Sequence, residues 1–127
     1  MSNAKRNEAE RLHVGVAYRP DGVLLITLAG YLDAGTFDVA EKVLEKALDE
    51  GHCRMIVNMS KLTYMSSAGV GVLLAAINRA RLLGGEIALL KPTPVVADVF
   101  ALIGMSKFCK FADTLEQAEG IFRAHPS

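Results

Sequence analysis

The sequence lacks an excess of charge of either sign. Its 127 residues contain fourteen Lys and Arg, which balance fourteen Asp and Glu. Proteins that bind nucleic-acid backbones carry a strong basic excess, and acidic membrane surfaces attract basic clusters. We therefore expect no nucleic-acid partner and no anchoring on a membrane surface.

Long apolar runs are also missing. The longest run of apolar residues and glycine, 68–77, is far shorter than the roughly 20 residues that a membrane-spanning helix needs. The N-terminal segment is polar and charged, which predicts that no signal peptide is present. Together these absences predict a cytoplasmic protein that does not insert into membranes.

Cysteine and histidine are too few and too scattered to predict a metal site. Cys53 and Cys109 lie in separate apolar runs and are expected to be buried free thiols. His13, His52 and His125 are expected on the first strand, in a loop and at the C-terminus. We therefore expect no metal.

The usual catalytic and cofactor motifs are absent too. The sequence has no Gly-x-Gly-x-x-Gly, no phosphate-binding loop that ends in Gly-Lys-Ser/Thr, and no Gly-x-Ser-x-Gly. We therefore expect no cofactor and no enzymatic activity. One catalytic alternative stays open, a small serine hydrolase in which Ser67 is paired with a histidine.

Hydrophobic periodicity predicts a single α/β domain. Apolar residues alternate at 14–18 and again fill 23–28, on either side of a turn at Arg19–Gly22, which indicates a β-hairpin. From residue 33 onward, helical and strand patterns alternate, so the expected order is β-β-α-β-α-β-α-β-α. This order predicts a single mixed, mostly parallel sheet with an antiparallel hairpin strand at its edge.

The remaining boundaries follow from apolar runs and helix end signals. We assign residues 13–124 to the domain and 1–12 to an N-terminal extension, in which Ser2–Ala4 resembles a cloning remnant. Further strands are expected at 54–59, 86–90 and 107–111. The first helix is expected to begin at Asp33 and end at Gly51, and the second to begin at Ser66 or Ser67 and end at Gly84. The third is expected to begin at Thr93, followed by Pro94, and to end at Gly104, and the fourth to begin at Thr114 with Gln117.

The segment 61–71 is unusual for a strand-to-helix connection. One of its two adjacent serines is expected to cap the following helix, which is a purely structural role. However, Gly69 and Gly71 fall in the first turns of that helix, where each costs about 0.5–1 kcal/mol relative to alanine. Either the sheet or a partner must therefore approach this backbone closely. If the first turn is exposed, it forms a small, flat, apolar platform for docking.

At this point the sequence resembles a known family. The run Tyr64–Leu73 resembles the signature of STAS domains, the sulfate transporter and anti-sigma factor antagonist family. Gly30–Asp33 resembles the family's Gly-x-Leu-Asp, and Met55–Ser60 resembles its central strand. The resemblance extends from about Val14 to Phe122, which is nearly the whole chain.

The resemblance implies a non-enzymatic switch that controls transcription. A member of this kind binds an anti-sigma factor serine kinase while it is dephosphorylated, and phosphorylation of one serine releases it. That serine aligns with Ser67, with Ser66 as the second choice; Ser66 and Asn58 occupy positions where many members carry aspartate. The residues expected to contact the kinase are Asp33, Thr36, Ser66, Ser67, Ala68, Gly69 and Val70.

A second function is compatible with the same resemblance. STAS domains also serve as accessory domains of transport systems or larger signalling complexes, without being phosphorylated. For Asp33, helix capping and partner contact stay open as roles. We expect the free protein to be a monomer.

Overall fold

The computed structural model of the protein describes residues 11–124. Within that range the chain forms a five-stranded sheet. Its strands are β1 Leu12–Tyr18, β2 Leu24–Leu32, β3 Arg54–Met65, β4 Glu86–Leu90 and β5 Lys110–Ala112. The helices are α1 Phe37–Asp49, α2 Ser67–Leu82, α3 Pro94–Ile103 and α4 Leu115–Ala124. The predicted order of strands and helices is therefore confirmed.

The strands lie side by side in the order in which they occur in the chain. β1 is antiparallel to β2, and every later neighbouring pair is parallel. The hairpin turn closes through a 3.1 Å hydrogen bond from the Gly22 N–H to the Arg19 carbonyl. The prediction of a single mixed, mostly parallel sheet with an antiparallel strand at its edge is confirmed.

The helices cover both faces of the sheet. α1, α2 and α3 each connect neighbouring parallel strands, and all three connections step across the sheet in the same direction. Because such crossovers share one handedness, these three helices lie on one face. α4 follows the last strand and packs on the opposite face, where its Ala118 and Phe122 are buried against β3 and β4.

Two buried clusters follow from this arrangement. On β3, Met55 and Val57 belong to the larger cluster beneath the first three helices, whereas Ile56 between them belongs to the smaller cluster beneath α4. Successive side chains of a strand point to opposite faces, so a strand covered on both sides is apolar at nearly every position. The continuous apolar run that begins β3 therefore has a structural explanation.

β3 is longer than predicted, since it continues beyond Met59 to Met65. Two register shifts against β2 each insert an extra residue on β3, and the last pair aligns Leu32 with Met65. As a result Met59, Leu62 and Met65 are buried at a spacing of three instead of two. The expectation of a strand ending at Met59 was wrong, because the bulges hide the period-two pattern.

β5 is shorter than predicted. It begins at Lys110, whereas residues 106–108 form a turn with a hydrogen bond from the Phe108 N–H to the Met105 carbonyl. The start of α3 is confirmed: the Thr93 hydroxyl accepts from the Val96 N–H at 3.4 Å, and Pro94 is the first helical residue.

In the part of the chain that the structure describes, no helix combines the length and apolar character required to cross a membrane. The same residues contain no group of three or more His, Cys, Asp or Glu side chains placed to hold a metal ion. Cys53 and Cys109 are both free thiols, as predicted, although only Cys109 is buried.

We expect Cys109 to react with iodoacetamide much more slowly than Cys53 in the folded protein. Burial raises the pKa of the Cys109 thiol to about 11, and the protonated thiol is a poor nucleophile. Labelling at mildly alkaline pH, followed by mass spectrometry of the two cysteine peptides, measures both rates. In guanidinium chloride the rates should converge, and equal rates in the folded protein would contradict the burial of Cys109.

Candidate functional site

The candidate site lies at the carboxyl ends of β2 and β3, where α2 begins. Leu32 and Met65 form the last aligned pair of these two strands. The Ser66 N–H then donates to the Leu32 carbonyl at 2.9 Å, and α2 starts at the next residue. The carboxyl edge of a parallel sheet is where functional loops gather in α/β proteins. Here the connection is a single residue, so the start of the helix is fixed firmly to the sheet.

The two adjacent serines have different surroundings. Ser66 occupies the N-cap position with extended backbone angles, yet its side chain makes no capping hydrogen bond. Its Oγ atom is shielded from solvent and has no hydrogen-bond partner within the described residues. Ser67 is the first helical residue and is exposed. The structure therefore presents Ser67 to other molecules and turns Ser66 inward.

The first turn of α2 has backbone N–H groups without acceptors. The first helical hydrogen bond runs from the Val70 N–H to the Ser66 carbonyl at 3.1 Å. Among residues 11–124, the N–H groups of Ser67, Ala68 and Gly69 have no acceptor. Unpaired N–H groups and the helix dipole make such a terminus favourable for negative charge. An anionic group attached to Ser67 would therefore meet a favourable environment.

The glycines in the first turns of α2 have different structural roles. A Cβ atom on Gly69 would lie 2.7 Å from the Leu32 Cγ and 2.8 Å from the Leu32 carbonyl oxygen. Gly69 therefore permits close packing of α2 against the end of β2. A Cβ atom on Gly71 would meet nothing within 4 Å, and Gly71 is exposed. Packing within the fold therefore explains why residue 69 is glycine, but it does not explain why residue 71 is glycine.

Ser67, Gly71 and Ala75 form an exposed stripe along α2, which we call the α2 stripe. Residues four apart in a helix lie above one another on the same face. All three residues are small and uncharged, so the backbone of another protein can approach this helix closely. The stripe begins at the Ser67 hydroxyl.

The residues before α1 form a hydrogen-bonded turn, which corrects one expectation. Asp33 was predicted to cap α1, but Thr36 occupies the N-cap position and the helix begins at Phe37. The Asp33 carboxylate accepts from the Gly35 N–H at 2.9 Å and is paired with Arg11. The Thr36 hydroxyl accepts from the Asp33 N–H at 3.0 Å and donates to the Tyr31 carbonyl at 2.7 Å. Both side chains thus stabilise the turn beside α2.

Three of the residues expected to contact a partner are buried. Thr36 is 2% exposed and Val70 is 1% exposed, and Gly69 is packed against Leu32. Helical periodicity turns Gly69 and Val70 toward the core, so these three residues offer little accessible surface in this structure, and their contact with a partner stays a prediction. Of the seven, Ser67 is exposed, Ala68 is half-buried, and Asp33 keeps a small accessible fraction.

Sequence reasoning overlooked a pair of exposed tyrosines at this edge. Tyr31 on β2 and Tyr64 on β3 are aligned neighbours, are 46% and 44% exposed, and have ring centroids 6.1 Å apart. The Arg11 guanidinium lies 5.3 Å from the centre of the Tyr31 ring. Each tyrosine directly precedes a buried residue at the end of its strand, and this alternation was the available signal.

The described histidines do not form a catalytic pair with Ser67. His13 lies on β1, the edge strand, and is aligned with Ala29. His52 precedes β3 and packs against Tyr18, with ring centroids 5.5 Å apart, at the opposite end of the sheet. His125 lies outside the described residues. Within those residues the Ser67 side chain makes no hydrogen bond, so nothing in the geometry supports the serine hydrolase alternative.

Comparison with known proteins gives consistent similarities. The STAS domain family matches residues 16–118 of the chain. The Bordetella bronchiseptica protein BtrV, whose name describes an anti-sigma factor antagonist, is 30% identical over 103 residues; the match covers 81% of this chain and 89% of BtrV.

Solved structures show the same similarity. An anti-sigma factor antagonist from Mycobacterium paratuberculosis superimposes with a TM-score of 0.79 at 20% identity, covering 88% of this chain and 94% of that one. The Bacillus cell fate determinant SpoIIAA in its phosphorylated form superimposes with a TM-score of 0.67 at 26% identity, covering 88% and 99%.

We expect Gly69→Ala and Gly71→Ala to change stability in opposite directions. The added methyl group at residue 69 collides with Leu32, including its backbone, and should cost about 1–3 kcal/mol. At residue 71 the methyl group enters open space and should stabilise the helix by about 0.5–1 kcal/mol. Urea unfolding of both variants measures the difference. Equal effects would show that α2 does not approach β2 as described.

Proposed function

Because the chain belongs to the STAS domain family, we propose that it is an anti-sigma factor antagonist controlled by phosphorylation. Unphosphorylated, it docks a serine kinase of the anti-sigma factor type through the start of α2 and the α2 stripe. Phosphorylation of Ser67 by that kinase releases it. The names of BtrV and the M. paratuberculosis protein support the antagonist role, and the structure of phosphorylated SpoIIAA supports control by phosphate.

The observation that carries this proposal is the difference between the two serines. A kinase must bring the γ-phosphate of ATP into line with the hydroxyl that attacks it. Ser67 is exposed at the first position of α2, whereas the Oγ atom of Ser66 is shielded from solvent. Ser67 is therefore the better substrate, and Ser66 would require the helix start to open.

The release step follows from electrostatics at the surface. A phosphate adds about −1.5 to −2 charges and three acceptor oxygens at neutral pH. The phosphate would lie at one end of the α2 stripe, whose residues are small and uncharged. A partner that fits this stripe must then bury a charge or move away. A loss of about 3 kcal/mol of binding free energy would reduce affinity roughly a hundredfold.

Phosphorylation of Ser67 is not expected to unfold the protein. The free N–H groups of Ser67, Ala68 and Gly69 provide donors for the phosphate oxygens, and the helix dipole has the favourable sign. The switch thus acts on the partner and leaves the fold intact. In this proposal the protein catalyses nothing, needs no cofactor and works in the cytoplasm.

Incubation with ATP and the purified candidate kinase should add about 80 Da to the peptide that contains Ser66 and Ser67. Fragmentation should place the phosphate on Ser67. Ser66→Ala should be phosphorylated like the wild type, whereas Ser67→Ala should not. Modification that persists in Ser67→Ala would move the site elsewhere and remove the basis of the proposal.

Capture of the same kinase should be weakened by Ser67→Asp and preserved by Ser67→Ala. The carboxylate places a negative charge at the docking surface, whereas alanine keeps the surface small and neutral. Ser106→Asp is the matched control, since Ser106 is an exposed serine in the turn before β5, at the other end of the sheet. Equal loss of capture in Ser106→Asp and Ser67→Asp would indicate an effect of overall charge.

Thermal unfolding of the phosphorylated protein should match that of the unmodified protein within a few degrees. The reason is that the start of α2 accommodates the added charge without losing packing. Circular dichroism on both forms measures this. A fall of many degrees would show that phosphorylation acts by disrupting the domain.

A further inference from the structure

A cavity lies at the amino ends of β3, β4 and β5, at the opposite edge of the sheet from Ser67. It has a volume of about 250 Å³. It is lined by Arg54, Gly84, Gly85, Glu86, Lys110 and Phe122. Arg54, Glu86 and Lys110 are the first residues of three neighbouring strands, so the sheet itself sets their spacing. A second, more open cavity shares Arg54 and Phe122 with the first and adds Arg123.

The acidic side chains of both cavities already have cationic partners. Glu86 accepts from the Arg81 Nε at 3.0 Å. In the second cavity, Asp21 and Glu119 are both paired with Arg19. These three carboxylates share two arginines, so they leave one negative charge to set against the remaining cations of the cavities.

The remaining cations have no carboxylate partner among the residues that the structure describes. Within residues 11–124, Arg54, Lys110 and Arg123 form no ion pair. Among the described residues, the unpaired basic side chains that line the two cavities therefore outnumber the negative charge left over around them. Positive charge that is left uncompensated in a concave site attracts anions.

Arg54 is held in place by α4. One of its Nη groups donates to the Phe122 carbonyl at 3.3 Å, and its guanidinium lies 5.5 Å from the centre of the Phe122 ring. Its Nε–H group is shielded from solvent and has no acceptor within the described residues. Shielded donors are normally paired. The fork of an arginine matches the oxygens of a phosphate group.

We propose that this cavity binds a small molecule carrying a diphosphate group, held by Arg54, Lys110 and Arg123. Arg54 and Lys110 begin strands that are separated by β4, and they align with Glu86 and Ala88, so their backbones lie about 12 Å apart. A diphosphate, with charged oxygens at both ends, bridges such a pair better than a single phosphate. Gly84 and Gly85 add a wall without side chains, which lets the anion approach the backbone closely.

The site does not depend on the switch at Ser67. The two lie at opposite edges of the sheet, and they share no residue. A failure of one proposal therefore leaves the other intact.

Calorimetric titration of the full chain with inorganic pyrophosphate tests the proposal. We expect saturable binding that is weaker for inorganic phosphate. Lys110→Met and Arg54→Gln should each weaken pyrophosphate binding about tenfold or more, because each removes a charge-assisted contact. Lys110 is exposed, so its substitution leaves the packing of α4 unchanged.

Lys107→Met is the matched control, because Lys107 is an exposed lysine three residues before Lys110 that does not line the cavity. It should bind pyrophosphate as the wild type does. No saturable binding by the wild type would overturn the proposal. The same weakening in Lys107→Met as in Lys110→Met would also overturn it, since attraction would then come from general charge.

Discussion

The candidate site depends on the close packing of α2 against the end of β2. Gly69 lies against the Leu32 carbonyl with no room for a Cβ atom, and the Ser66 N–H donates to that same carbonyl. These contacts fix the rotation of the first helical turn. The rotation turns Ser66 and Val70 inward and leaves Ser67, Gly71 and Ala75 on the surface. Which hydroxyl is accessible is thus decided by one carbonyl group on a neighbouring strand.

The two edges of the sheet carry different kinds of surface. At the carboxyl edge, the exposed part of α2 is small and uncharged, and Asp33 is already paired with Arg11. A new negative charge there changes the surface strongly because little else competes with it. At the amino edge, Arg54 and Lys110 line a cavity and form no ion pair with any other described residue. We propose a protein partner for the first surface and a small anion for the second.

The fold was predictable from the sequence because its signals are local. The alternation of apolar and other residues indicated the first strand of the hairpin, and Thr93 with Pro94 indicated the start of α3. The end of β3 was not predictable, since two bulges change the spacing of buried residues from two to three. For the site, the motif around Ser67 pointed to the connection between β3 and α2. It could not show that Gly69 faces the sheet and Gly71 faces solvent, because that depends on how α2 sits on Leu32.

The most direct test of this account compares the accessibility of the two serine positions, with no partner needed. In a Cys53→Ser background, Ser67→Cys and Ser66→Cys each add one thiol, and the other thiol in the protein is the buried Cys109. Labelling with a maleimide, followed by mass spectrometry, gives the rate at each position. Because Ser67 is exposed and the Oγ atom of Ser66 is shielded, Ser67→Cys should react rapidly and Ser66→Cys should be strongly protected until the protein is unfolded. Equal rates, or faster reaction of Ser66→Cys, would contradict it.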